Sequence, residues 1–235
     1  SASQRLIEDL VAASRILAAH QVLDAYGHVS ARSDGRRERF VMSRSRAPAL
    51  VTAADMMELD ADSEPLPGEH RKGFIERYIH GEIYRLRRDV MAVVHSHSSS
   101  VIPFGVTQTK LRPIYHMGSF LWSGAPVFEI RKVRPESDLL IRDRPLGQAL
   151  AGTLGGCNCV LMRGHGMTVV GDSVPEAVFR AIYTEMNARL QLHAGQLEGP
   201  VEFLSDEEGR RATAANRGTL ERPWELWKKS ALARK

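Results

Sequence analysis

Leu6, Ile7, Leu10, Val11, Ser14, Leu17 and Ala18 recur at intervals of three and four, the spacing of one buried helix face, and Gly27 closes that pattern. His28 to Arg32 then alternates as a strand, and Phe40-Val41-Met42 reads as another. Residues 43–70 show no sustained period and contain Pro48, Pro65, Pro67 and Gly68, so they predict a long, largely irregular segment of the functional kind. From Gly73 to Arg87 helical spacing returns through Phe74, Ile75, Tyr78, Ile79, Ile83 and Leu86, and Asp89 to His95 predicts a buried strand. A short helix is expected over Ser98–Phe104, with strands near Pro113–Met117 and Val127–Val133 and a helix over Pro145–Leu154 closed by Gly155-Gly156. Two apolar strands, Cys159–Arg163 and Met167–Gly171, bracket His165. Ser173-x-x-Glu176 with Pro175 opens a long helix running to about Gly195. The remainder is polar and ends in Arg222-Pro223-Trp224-Glu225-Leu226-Trp227, whose two tryptophans suggest docking on a neighbouring subunit. Elements alternate without a linker, which predicts one domain over 1–235 with 196–235 as a tail.

Chemistry enters at His95-Ser96-His97. On a strand, residues i and i+2 face the same way, so both imidazoles aim at one spot. A third histidine, His165, lies between Gly164 and Gly166, whose lack of side chains lets the backbone approach closely. Three imidazoles with an open fourth position make a catalytic metal site. Glu76 precedes His95 by 19 residues. A helix from Glu76 to Arg87 spans about 18 Å and the strand Asp89–His95 about 20 Å, so a helix folding back along that strand brings Glu76 to the histidines as ligand or base.

Composition narrows the classes. A net charge of +4 is spread along the chain, and the basic runs Arg36-Arg37-Glu38-Arg39 and Arg85 to Arg88 read as solvated surface, with no nucleic-acid groove expected. A mildly basic chain favours an anionic small molecule. No apolar stretch of 18 residues exists, so no membrane span is expected, and Ser1 to Arg5 lacks the apolar core of a secretory leader. Cys157 and Cys159 read as free thiols of a reducing cytoplasm.

The ordered set Gly27-His28-Val29-Ser30-Ala31-Arg32, Ser43 through Thr52-Ala53-Ala54-Asp55 to Asp60, Glu76, His95-x-His97 and Gly164-His165-Gly166 resembles the class II aldolase/adducin family from about Leu6 to Gly195. The resemblance implies an α/β fold: a three-layer α/β/α domain around a central, largely antiparallel sheet, assembled as a homotetramer with active sites at subunit interfaces. It implies one divalent ion per subunit, zinc or manganese foremost, on His95, His97, His165 and Glu76. Glu76 would also serve as acid/base.

Departures from the sugar-phosphate aldolases refine the expectation. Where those enzymes carry phosphate-cradling Asn, Thr-Gly and Ser-Ser, this chain has His28, Arg44-Ser45 and Phe74-Ile75. Hydroxyls and glycine turns suit a tetrahedral phosphate, whereas the guanidinium forks of Arg44 and Arg46 suit carboxylates. His116 falls at the position of the family's proton-donating tyrosine, with Tyr115 beside it. Together with Ser43-Arg44-Ser45-Arg46, Tyr115-His116-Met117-Gly118-Ser119-Phe120 resembles the family's decarboxylase branch, which acts on 3-hydroxy-2-methylpyridine-4,5-dicarboxylate in vitamin B6 breakdown and on dihydroxyphthalates. The expected substrate is a small, anionic, hydroxylated aromatic acid, with catalysis by Glu76 and His116 and binding by His28, Ser43, Arg44, Ser45, Arg46 and Tyr115. The alternatives are a metal-dependent aldolase on a non-phosphorylated or acidic carbonyl compound and a non-catalytic adducin-like module.

Overall fold

The computed structural model describes residues 1–233; Arg234 and Lys235, the end of the expected single domain, lie outside the described residues. Seven strands form one sheet in the order β3-β2-β1-β4-β7-β6-β5. They are β1 (His28–Arg32), β2 (Phe40–Ser43), β3 (Met56–Leu59), β4 (Ala92–Ser96), β5 (Val127–Phe128), β6 (Cys159–Met162) and β7 (Gly166–Gly171). All neighbours run antiparallel except β5 and β6. Helices α1 (Gln4–Ala19) and α5 (Val174–Ala194) cover one face, while α2 (Arg77–Leu86) and α4 (Arg144–Leu154) cover the other. A short helix, α3 (Ile102–Val106), follows β4. The three-layer α/β/α arrangement around a largely antiparallel sheet is the one expected.

Strand alternation builds two separate cores. Val29, Ala31, Ala92, Val94, Met167 and Val169 pack towards α1 and α5, whereas Phe40, Met42, Val93 and Val170 pack towards α2 and α4. His28, Ser30 and His95 have the parity of the second set. The histidines therefore emerge on the α2 side, at the end of the sheet where α2 begins.

Several boundaries differ from expectation. The helix predicted from Gly73 starts at Arg77, and Glu76 is its N-cap residue. The helix predicted over Ser98–Phe104 is α3, because Pro103 is tolerated only in a first turn, where its missing N–H costs nothing. No strand forms at 113–117. The backbone there is satisfied by side chains of α5 instead: Arg112 and Ile114 donate N–H bonds to Gln191 and Asn187, at 3.0 and 2.9 Å. The strand expected over Val127–Val133 shrinks to β5, followed by a 3-10 turn over Ile130–Lys132. The irregular 43–70 segment contains β3, hydrogen-bonded to β2 as an edge strand.

The polar tail forms two helices, α6 (Asp206–Arg217) and α7 (Glu221–Ala233). Ser205 and Glu208 cap the first reciprocally, through bonds of 3.2 and 2.7 Å. Trp224 and Trp227, read as exposed docking residues, are partly buried on the core of their own chain. Trp227 lies edge-on to His20 at 5.4 Å, and Lys228 pairs with Asp9 on α1 at 2.6 Å. Their burial against the chain's own α1 and α5 corrects the exposed reading.

Candidate metal centre

Glu76, His95, His97 and His165 arrive from three places and present ligand atoms that all lie within 4.8 Å of one another. His95 is the last residue but one of the buried strand β4, and His97 lies just past its end, with ring centroids 5.4 Å apart. His165 occupies the turn between β6 and β7, where Gly166 passes against β4. A Cβ at Gly166 would sit 2.0 Å from the Ser96 carbonyl oxygen, so only glycine lets β7 come near enough to bring His165 Nε2 to 3.0 Å from His97 Nε2. Glu76 caps no helical N–H with its side chain. Its Oε1 accepts the Ile141 N–H at 2.9 Å, leaving Oε2 3.5 Å from both His95 Nε2 and His165 Nε2.

The hydrogen bonds behind the site fix which nitrogen faces inward. His95 Nδ1 donates to the Met167 carbonyl at 2.9 Å and His165 Nδ1 to the Leu139 carbonyl at 3.0 Å. Each imidazole thus turns a lone pair on Nε2 to the centre, the arrangement that backbone carbonyls impose on metal-ligating histidines. His95 Nε2 is buried without a hydrogen-bond partner among the described residues, a costly state unless a cation occupies the space. Ligands around a tetrahedral ion at zinc–nitrogen distances stand about 3.3 Å apart, close to the 3.0 and 3.5 Å separations here. The residues present fit a divalent metal ion.

Charge states agree with that fit. Burial, and then the neighbouring His95, lowers the His165 pKa to about 4, and the same causes lower His97. Burial alone would raise the Glu76 pKa, but the His95 and His165 imidazoles and the Ile141 N–H outweigh it and hold the carboxyl at about 2. At neutral pH His97 and His165 are neutral and Glu76 is anionic, the protonation states a metal requires.

Beside the ligands opens a cleft of about 340 Å³, lined by Tyr26, His28, Ser45, Arg46, Phe74, Ile75, Leu140 and Lys72 together with Glu76 and His97. Tyr26 stacks near His97 at 6.2 Å and Phe74 lies 4.5 Å from His28. Apolar and aromatic walls with a cationic rim suit a flat anion.

The expected binding residues divide. His28, Ser45 and Arg46 line the cleft, but Ser43 is buried at the end of β2 and Arg44 is not among the lining residues. Both guanidiniums are held by Asp55: Arg44 at 2.6 Å, and Arg46 at 3.1 and 3.0 Å from its two oxygens. The Thr52 N–H and hydroxyl complete the Asp55 carboxylate, each at 2.8 Å. Its burial opposes ionisation, but these bonds dominate and push its pKa far down. Tyr115 and His116 do not reach the cleft of their own chain. They open the 3-10 segment His116–Ser123 beneath α6, where Asn216 donates to the His116 carbonyl at 2.9 Å. Sequence reasoning missed Tyr26 and Lys72, whose neighbours carry no periodic signal. It also missed His80, whose i+4 spacing from Glu76 on a helix was the available clue.

The family model for the Class II Aldolase and Adducin N-terminal domain matches residues 8–192. Decarboxylase tropJ of Talaromyces stipitatus is 39% identical over 244 residues, covering 94% of this chain and 92% of that protein. The 3,4-dihydroxyphthalate decarboxylase of Terrabacter sp. is 34% identical over 218 residues, covering 88% and 87%. Among solved structures, L-fuculose 1-phosphate aldolase from Glaciozyma antarctica PI12 is similar with a TM-score of 0.78 at 20% identity, covering 97% of this chain and 88% of that one, a likeness of fold.

Proposed function

We infer, from the premise that this chain belongs to the class II aldolase and adducin family, that it is a metal-dependent decarboxylase of a hydroxylated aromatic carboxylic acid. The observation that carries the reading is the convergence of Glu76, His95, His97 and His165 beside a cleft with aromatic walls and cations at its rim. The two decarboxylases similar to this chain over most of their length support carboxy-lyase chemistry.

One divalent ion per subunit, zinc or manganese, is assigned to His95, His97, His165 and Glu76; when bound it supplies Lewis acidity that stabilises the enolate-like charge left as CO₂ departs. Tyr26 and Phe74 hold the ring, and Arg46 and Lys72 attract its carboxylates, with Ser45 beside them. Ser43 and Arg44 act from behind by fixing the Asp55 loop. Asp55 keeps the Arg46 fork in place before substrate arrives, so less ordering entropy is lost on binding. Before CO₂ can leave, the ring carbon that bears the carboxylate must gain one proton, giving a keto tautomer whose carbonyl accepts the electrons of the breaking C–C bond. Glu76, anionic at rest, takes the proton of the ring hydroxyl as substrate binds and returns it to that carbon. The exposed His116 of a second copy is assigned as the other proton source, whereas the hydroxyl of Tyr115, expected to bind substrate, is buried in its own chain. That assignment needs an oligomer with shared active sites, which we take to be a homotetramer; Leu226 of α7 is exposed and available to such a contact.

No helix among the described residues is long and apolar enough to cross a membrane. With two free cysteines we assign the protein to the cytoplasm, in the breakdown of aromatic acids of pyridine or phthalate type.

The test is CO₂ release from a panel of ortho-hydroxy aromatic acids, 3,4-dihydroxyphthalate included. Release that is abolished by a chelator and by His95→Ala supports the reading. A metal-replete protein that leaves the whole panel untouched, or cleaves a carbonyl compound to an aldehyde instead, overturns it.

A further inference from the structure

Behind the cleft, on the face of the sheet that carries the metal ligands, four buried side chains form one hydrogen-bonded file. His28 Nδ1 meets His80 Nε2 at 2.6 Å, His80 Nδ1 meets Ser30 Oγ at 2.6 Å, and Ser30 Oγ meets the Tyr84 hydroxyl at 2.8 Å. His80 is fully buried on α2, and His28 is 5% exposed yet lines the cleft. Nothing in the metal-ligand set uses this file.

The file has a direction, set at its inner end. Each bond holds one proton, so reversing one reverses all. The Tyr84 hydroxyl has one hydrogen-bond neighbour among the described residues, Ser30. If Ser30 donated to Tyr84, the phenolic hydrogen would be buried without an acceptor, the unfavourable case for a polar group. Arg32 reinforces the same sense. Its guanidinium lies 4.8 Å from the Tyr84 ring centre and is anchored on the carbonyls of Val90 and Arg87, at 2.7 and 2.9 Å. A fixed cation over the ring makes the phenol a better donor and a poorer acceptor. Tyr84 therefore donates to Ser30, Ser30 to His80 Nδ1, and His80 Nε2–H to His28 Nδ1. With Nδ1 of His28 accepting, its proton must lie on Nε2, the nitrogen that has no partner among the described residues.

We propose that the buried file Tyr84–Ser30–His80 locks His28 in its Nε2–H form, making His28 a hydrogen-bond donor to an anionic oxygen of the bound aromatic acid, with His80 as its positioning residue. The substrate class rests on the function proposed above; the tautomer does not. The file selects, at this point of the cleft, an acceptor, best an anionic one (a carboxylate or an ionised ring hydroxyl), and disfavours a group that can only donate, such as an amide N–H or an ammonium.

The test is histidine ¹⁵N NMR of the zinc-loaded protein, with His28 and His80 assigned by single substitution, alongside titration with 3,4-dihydroxyphthalate. The expected spectrum shows both rings neutral and protonated on Nε2, with Tyr84→Phe moving part of the His28 population to Nδ1–H. His80→Leu is expected to weaken 3,4-dihydroxyphthalate binding by about 10-fold to 100-fold at undiminished zinc content. His80→Gln, which keeps an N–H near the imidazole Nε2 position, is expected to recover most of that loss. A His28 ring protonated on Nδ1 in the unsubstituted protein overturns the proposal, and so does unaltered binding in His80→Leu. If the acid binds to no form of the protein, the reading of the cleft fails, while the spectrum still decides the tautomer.

Discussion

His28 and His95 face one another across the β1–β4 ladder as a register pair, with ring centroids 5.1 Å apart. One belongs to the candidate metal centre and the other lines the cleft beside it, so a single pairing of two antiparallel strands joins the two. A one-residue slip of β1 would turn His28 away from the site and Val29 into it.

Gly166 is the position where the backbone allows least. We predict that Gly166→Ala forces β7 away from the Ser96 carbonyl and costs about 2–4 kcal/mol of stability, the upper range for a point change that overpacks a core. Because the same displacement parts His165 from His97, metal content falls with it. Thermal unfolding and metal analysis of the purified variant check both effects; full metal occupancy at unchanged melting temperature would contradict this role.

Much of this was legible in the sequence and some was not. His95, His97 and His165 were readable because strand periodicity and flanking glycines determine where a side chain points. Glu76 was found by comparing helix and strand lengths, although α2 starts one residue after it. The strand β3 was hidden because Met56-Met57-Glu58-Leu59 is short and lies between Pro48 and Pro65-Leu66-Pro67 in a segment without period. Helix α6 was hidden because its sequence is mostly polar and its start is set by a capping box, and α7 because it is held by docking on α1 and α5, which periodicity does not record. Asp55 stood within the recognised motif, but its role became visible only when both guanidiniums were seen on it. Tyr115 and His116 fall outside the cleft of their own chain, a separation that sequence spacing does not record.

Asp55 gives a second prediction. In Asp55→Asn the charge that seats both arginines is lost, so Arg46 no longer waits in position. KM for the aromatic acid is expected to rise about 10-fold while kcat changes less, and Arg46→Lys should act in the same direction because an ammonium lacks the planar fork. Steady-state kinetics decide this; an unchanged KM in both variants would remove Arg46 from the binding assignment.

Lys72 lines the cleft with an exposed side chain. Its replacement by methionine should raise KM by about 3-fold to 10-fold, with a smaller difference at high ionic strength, because an exposed charge acts through screened attraction. Measuring KM at low and high salt separates this from a steric effect, which would persist in salt.

Acid should destabilise the metal-stripped protein before its carboxylates titrate. Burial, and then the His95 imidazole, lowers the His80 pKa from the usual 6.5 to about 3. The folded pKa lies below the unfolded one, so the unfolded chain binds the proton first as pH falls. The stability tied to neutral His80 is whole above about pH 6.5 and is lost as pH drops towards 3, at roughly 1 kcal/mol per pH unit from this residue. His28 and His165 are lowered for similar reasons and add to the slope. Melting temperatures between pH 7 and pH 5 should therefore fall, with a shallower fall in His80→Gln; a flat profile would mean that these imidazoles are not held neutral.

The most direct measurement is anomalous diffraction from crystals loaded with zinc or manganese. One peak per subunit is expected about 2.0–2.2 Å from the Nε2 atoms of His95, His97 and His165 and from a Glu76 carboxylate oxygen. A loaded crystal with no peak among these four side chains, or with its ion held elsewhere, would contradict the metal centre and the chemistry assigned to it.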